Sequence, residues 1–223
     1  MGNPRYAEGF SLALHWDKVK EPLRWNEPRK VFVNSMSDLL HDGIPDSFVV
    51  EVFGTMRSAH WHTFQVLTKR ADRWPVIERV IGSIPGNIIP GVSIEDKKHL
   101  RRLRGLGAVE SDVVRMVSFE PLLEDLGSAD ELAAQLVDAK VGWVITGGES
   151  GWNARPAELD WFRVVRDACA TAGIAFFHKQ HGGRGTSHAA KRAGRFAVLD
   201  GVVHQAYPVK PKKVAPRVQA SLF

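Results

Sequence analysis

The amino-acid sequence predicts an α/β fold in which at least six parallel strands alternate with helices. Three observations predict it. Apolar runs rich in Val, Ile and Phe recur six times along the 223 residues, with starts roughly 25 to 33 residues apart, about the length of one strand–helix unit. Several of the intervening segments carry helical periodicity, and alternating units of this kind imply a parallel sheet with right-handed crossovers. Each run also ends in a compact polar cluster, as the ligand-binding edge of a parallel sheet does. On these residues alone, the sheet either stays open and doubly wound or curves into a partial barrel.

The runs are, in order, "VFVNSM" (31–36), "TFQVLT" (63–68), "NIIPGVS" (87–93), "VVRMVSF" (113–119), "VGWVIT" (141–146) and "IAFFHK" (174–179). Each has the length and β-branched or aromatic content of a buried strand. After the first run, "IPDSFVVEVFGTMRSA" opens with Pro45 and Asp46 and puts Phe48, Val49, Val52, Phe53 and Met56 on one helical face. "EDKKHLRRLRGLG" turns Leu100 and Leu103 inward and its arginines outward, which reads as a solvated basic face, with phosphate contact the lesser alternative. "SADELAAQLVDA" has a capping box, Ser128 with Glu131, ahead of an inward Leu132, Leu136 and Val137. "PAELDWFRVVRDACATAG" carries Leu159, Phe162, Val164, Val165 and Cys169 inward and stops at Gly173. "RFAVLDGVVHQAYP" brackets Asp200-Gly201, a hairpin signal. Residues 209–223, rich in Pro and Lys, read as a solvated tail, which leaves 1–208 as a single domain.

Composition narrows the function classes. Thirty Lys and Arg against 25 Asp and Glu give a formal charge of +5, which suits either a nucleic-acid partner or an ordinary basic protein. Arg184, Lys191, Arg192 and Arg195, with Lys210, Lys212 and Lys213 in the tail, form acid-free basic stretches that offer phosphate contacts or simply a solvated surface. The one cysteine, Cys169, excludes a disulfide framework and points to a reducing cytoplasm. No apolar run is long enough for a membrane span, and "MGNPRYAEGF" has no secretory-signal pattern.

The polar clusters are the candidate site. Asn34, Ser35 and Asp38 follow the first run, Lys69 and Arg70 the second, and Ser93, Glu95 and Asp96 the third. Glu120 follows the fourth, Gly147, Gly148, Glu149 and Ser150 the fifth, and His178, Lys179 and Gln180 the sixth. The bland alternative, that they only cap the next helices, loses weight as the clusters multiply. Glycines after a buried strand admit a ligand to the backbone, and open N–H groups there attract a carboxylate. Glu149 would accept from an amine or a ribose diol, or else pair with Arg155 or Arg70. There is no dinucleotide fingerprint or nucleophile elbow, and His60, His62, His178 and His181 lack the partners of a metal site.

Together, "FVNSMSDLLHDGIPD", "TFQVLTKR", "GVSIED", "SFEPLL", "WVITGGESGWNARP" and "FFHKQHGG" resemble the phage Gp37/Gp68 family, also called DUF5131, over nearly the whole chain. That family is similar to radical S-adenosylmethionine (radical SAM) proteins, so the resemblance implies a partial (β/α) barrel and, for a phage-encoded chain, the host cytoplasm. It implies that Gly147, Gly148, Glu149 and Ser150, with Asn34, Ser35, Ser93 and Glu95, meet S-adenosylmethionine. Asp38, Lys69, Arg70, Asp96, Glu120, His178, Lys179 and Gln180 would then line a substrate pocket. Family members usually carry a cysteine-rich segment ahead of the equivalent of "GNPRY", to ligate a [4Fe–4S] cluster. The expectation is therefore weak S-adenosylmethionine binding, no metal in this chain, and a cluster only in a longer form that modifies nucleic acid. The alternative is a non-catalytic phage protein that binds nucleic acid or a host protein.

Overall fold

The computed structural model describes residues 12–34, 37–183 and 198–208. Strands β1 Lys30–Val33, β2 Thr63–Thr68, β3 Ile88–Ser93, β4 Arg115–Phe119, β5 Val141–Gly147 and β6 Ala175–Gln180 form one six-stranded sheet in unbroken sequence order. All five pairings are parallel. A doubly wound sheet would reverse its order at a switch point. The unbroken order is instead that of a parallel half-barrel, which settles the choice that periodicity left open.

Alternation along the strands separates two apolar layers. Phe64, Val66, Ile88, Val92, Val117, Phe119, Val144 and Phe176 join the main core beneath the helices. Met116, Trp143 and Phe177 form a smaller buried cluster on the other, concave face, with Leu67, Ile89 and Ile145 packed against it.

The helices α1 Asp46–Ser58, α2 Arg73–Ile81, α3 Arg102–Gly107, α4 Ala129–Asp138 and α5 Leu159–Ala172 return the chain between strands. In α1, Phe48, Val49, Phe53 and Met56 are buried as the spacing predicts. The basic stretch folds as a 3-10 turn, Lys97–His99, followed by the short α3, with Leu103 buried. Ser128 caps α4 by accepting from the Glu131 N–H at 3.3 Å. Two inward assignments are corrected. Val137 is 55% exposed and Leu159 42% exposed, because each lies in a terminal turn, beyond the stripe that packs on the sheet. Helix α2 has no counterpart in the sequence reading. Its Pro75 sits in the first turn, where a missing N–H costs nothing, and its buried Trp74 donates from Nε1 to the Gly91 carbonyl at 3.1 Å.

The expected hairpin is present as β7 Val198–Leu199 and β8 Val202–Val203. Asp200 and Gly201 both take positive φ, 52° and 78°, which suits a tight two-residue turn. Asp200 is held on α5 by Arg163 at 2.7 Å and Arg166 at 2.5 Å. Past the hairpin the chain runs antiparallel to β6. The His178 N–H donates to the His204 carbonyl at 3.0 Å, and the Ala206 N–H to the Phe176 carbonyl at 3.1 Å. Tyr207 then lies against Trp143 and Phe177, with ring centroids 5.3 and 5.6 Å away. The Lys30 ammonium of β1 stands 3.3 Å over the same ring.

Candidate functional site: the C-terminal mouth of the half-barrel

Every strand ends on the same edge, because all are parallel, so the polar clusters converge as the sequence predicts. The described candidates then divide by what each side chain bonds.

Asp38 is a bracket. It accepts from the Thr68 hydroxyl at 2.8 Å, the Lys69 N–H at 3.2 Å, the Leu40 N–H at 3.0 Å and Arg70 at 2.8 Å. These bonds tie the loop after β1 to the end of β2 and occupy most of its acceptor capacity. Asn34 donates to the Ser37 hydroxyl at 2.7 Å in an exposed turn. Asp96 caps the 3-10 turn, accepting from the His99 N–H at 3.1 Å.

The centre of the mouth is a charged row. Glu95, at the end of β3, meets Lys69 at 2.5 Å and Arg102 at 2.6 Å. Burial raises its carboxyl pKa, but hydrogen bonds from Lys69 and Arg102 outweigh that and hold it below the usual value. Glu120, at the end of β4, meets Lys179 of β6 at 3.0 Å and accepts from the Ser118 hydroxyl at 3.0 Å. The buried Ser93 hydroxyl lies 3.2 Å from both Glu95 Oε1 and the Glu120 carbonyl, linking the two halves. The pattern is two carboxylates on the middle strands, flanked by two ammonium groups on β2 and β6.

The GGES stretch ends β5. A Cβ on Gly147 would collide with Glu120 Oε1, so the missing side chain makes room for the Glu120–Lys179 pair to cross β5. A Cβ on Gly148 would collide with the His181 carbonyl. The expectation of open amides is corrected at Gly148, whose N–H donates to the Gln180 carbonyl at 3.0 Å, while Gln180 Nε2 returns a bond to the Gly148 carbonyl at 2.9 Å. The glycines thus let β5 and the end of β6 approach closely. Ser150 bridges to Gly183 just beyond.

Glu149 takes the ion-pair alternative. Arg155 reaches it from Nε at 2.8 Å, from a terminal nitrogen at 3.0 Å and from its backbone N–H at 2.8 Å. Those bonds hold the carboxyl down to about 2. The pair stands at the outer rim, on the loop that also carries the largely exposed Trp152.

His178 points away from the mouth. It is fully buried, bonded to the Thr146 hydroxyl at 2.9 Å and to His181 at 3.1 Å. Burial first, then His181 and His204, lower its pKa to about 4, which keeps the imidazole neutral. Ser35, Arg184, Lys191, Arg192, Arg195, Lys210, Lys212 and Lys213 lie outside the described residues. Sequence reading missed Arg102, whose inward turn is hidden in a run of solvated basic residues; its spacing of two helical turns from Glu95 was the available signal.

An iron–sulfur cluster needs several thiolates. Cys169 is the only cysteine, and it is buried in α5 with its thiol pushed up to about 12 by that burial. These residues do not fit a cluster. Among the described residues, no three His, Cys, Asp or Glu side chains gather as a metal site, and no helix is long and apolar enough to cross a membrane.

A family model described as "Protein of unknown function (DUF5131)" matches residues 2–208. The chain belongs to the DUF5131 family. The matched span holds every strand and helix described above, so the charged mouth lies wholly within the DUF5131 region. No curated protein matches the chain.

Proposed function

We propose that this DUF5131 half-barrel is a radical-SAM-like scaffold whose mouth binds S-adenosylmethionine. The observation that supports this most is the charged row: Glu95 and Glu120 in the middle, Lys69 and Lys179 at the sides. An α-amino acid head group carries the complementary pattern. Its ammonium takes the place of a lysine against a carboxylate, and its carboxylate meets the displaced lysine. Lys69 and Lys179 are more than a third exposed, so both have room to swing. The Glu149–Arg155 pair at the rim offers an acceptor and a donor to a ribose diol.

Without a cluster to chelate the amino acid, affinity rests on a few charged hydrogen bonds of about 1.5 to 3 kcal/mol each. That corresponds to dissociation constants of roughly micromolar to millimolar. On this reading the residues of this chain bind the ligand, and the target of the scaffold is a nucleic acid. Calorimetry with S-adenosylmethionine tests the site. Wild type is expected to bind, and Glu120→Gln and Glu149→Gln to bind about tenfold more weakly. Absence of heat at millimolar ligand would overturn the reading and favour a plain binding protein.

A further inference from the structure

We propose that Lys97, Lys98, Arg101 and Arg104, on the segment following β3, dock the phosphate backbone of a nucleic acid beside the mouth. The inference extends the nucleic-acid part of the reading above but stands on residues outside the ligand site.

All four side chains are exposed, and none forms an ion pair with a described residue. The cations at the mouth differ: Lys69, Arg70, Arg102, Arg155 and Lys179 each lie within 3.0 Å of a carboxylate. Three acids border this face, and Asp138 among them lines the cleft with Arg101 and Arg104. Asp96 accepts from the His99 N–H, and Glu124 from the Lys97 N–H at 2.5 Å. The four cations outnumber these acids and pair with none of them, which leaves a net positive face for an outside partner.

Packing fixes where the four charges stand. Leu103 and Leu106 are buried, and a Cβ on Gly105 would come within 2.6 Å of the Ala71 backbone. Arg102 turns inward to the Ser93 carbonyl and Glu95, both at 2.6 Å, and so ties this segment to the mouth. Lys97 to Arg104 spans roughly 10 Å at helical rise, room for the side chains to reach several consecutive phosphates. A cleft of about 400 Å³ between α3 and α4 has Arg101 and Arg104 on one wall and Gln135 and Asp138 on the other, over a floor of Leu100, Leu103 and Ala139. Gln135 adds a neutral donor and acceptor for a ribose or base edge.

The apolar residues nearby argue for this partner over a membrane or an acidic protein. Leu103, Leu106 and Val109 are buried, and Val137 on α4 is the one large apolar side chain exposed on α3 or α4 among the described residues. That is little to insert into lipid or to anchor a protein interface. Phosphate contacts require no such anchor.

The test is fluorescence anisotropy on the full chain with labelled single-stranded RNA and DNA of about 20 nucleotides, between about 50 and 200 mM salt. Combined Lys98→Gln, Arg101→Gln and Arg104→Gln is expected to weaken binding about tenfold or more and to flatten the salt slope by about two. Arg101→Lys, which keeps the charge, is expected to retain affinity. Lys210→Gln with Lys212→Gln and Lys213→Gln is expected to cost less than the helix variant. Three results would overturn the proposal: no wild-type binding at low salt, equal affinity of the helix variant, or binding to phosphatidylserine vesicles but not to oligonucleotides. S-adenosylmethionine calorimetry on the helix variant is expected to match wild type, so failure at the mouth and failure on this face read out separately.

Discussion

Gly147 and Gly148 are adjacent and chemically identical, yet a methyl group meets different obstacles at each. At Gly147 the obstacle is the Glu120 carboxylate, the end of a side chain that can rotate aside. At Gly148 it is the His181 carbonyl, which is backbone and already committed to the loop beside β6. Gly147→Ala is therefore expected to cost about 1 kcal/mol of stability while disturbing the Glu120–Lys179 pair. Gly148→Ala is expected to cost about 3 kcal/mol or more. Urea denaturation of the two variants checks the order; equal losses would mean that the backbone approach at Gly148 is softer than its geometry implies. The "GG" was visible as a close approach after a strand, but what approaches was not. The first glycine serves a side chain from β4 and the second a carbonyl past β6, and both neighbours depend on strand order.

At the scale of elements, two helical glycines separate packing from propensity. Gly54 lies on the exposed face of α1, and a Cβ there meets nothing within 4 Å. Gly54→Ala is expected to stabilise by about 0.5 to 1 kcal/mol, since glycine is the costlier residue in a helix. Gly105 in α3 is buried, and a Cβ there comes within 2.6 Å of the Ala71 carbonyl group and 2.9 Å of the Asp72 nitrogen. Gly105→Ala is expected to destabilise by about 3 kcal/mol, propensity notwithstanding. Thermal melting distinguishes the signs, and two shifts in the same direction would refute the assignment. Strands and most helices were legible because apolar periodicity reports burial directly. The second run, 63–68, coincides with β2, and Ser128 caps α4 as its spacing predicts. Helix α2 was not legible, because Pro75 reads as a breaker unless its place in the first turn is known. Nor were the partners at the mouth. Glu149 has arginines before and after it in sequence, and only the fold of the following loop selects Arg155.

At the scale of the whole molecule, the half-barrel is finished by a residue from its far end. Tyr207 covers the concave face of β5 and β6 and meets Lys30 of β1, while the Trp143 indole donates to the Ala206 carbonyl at 3.0 Å. Tyr207→Ala removes an aromatic contact and a cation–π contact and is expected to cost roughly 2 kcal/mol. With seven tryptophans in the chain, Trp143 emission is read as the difference between proteins with and without Trp143→Phe, and it is expected to shift to the red as water reaches the indole. An unchanged emission maximum would show that the tyrosine is not the cover.

The same contact carries a consequence for how the protein is made. Lys30 opens the first of the six sheet strands and Tyr207 follows the last, so a polypeptide growing from its N-terminus completes that sheet before its lining is sealed. Until the segment through Tyr207 leaves the ribosome, the side of Trp143 and Phe177 that it covers stays open to solvent. A stalled or clipped product would carry a bare aromatic slot, the kind of surface that chaperones hold and that aggregates nucleate on.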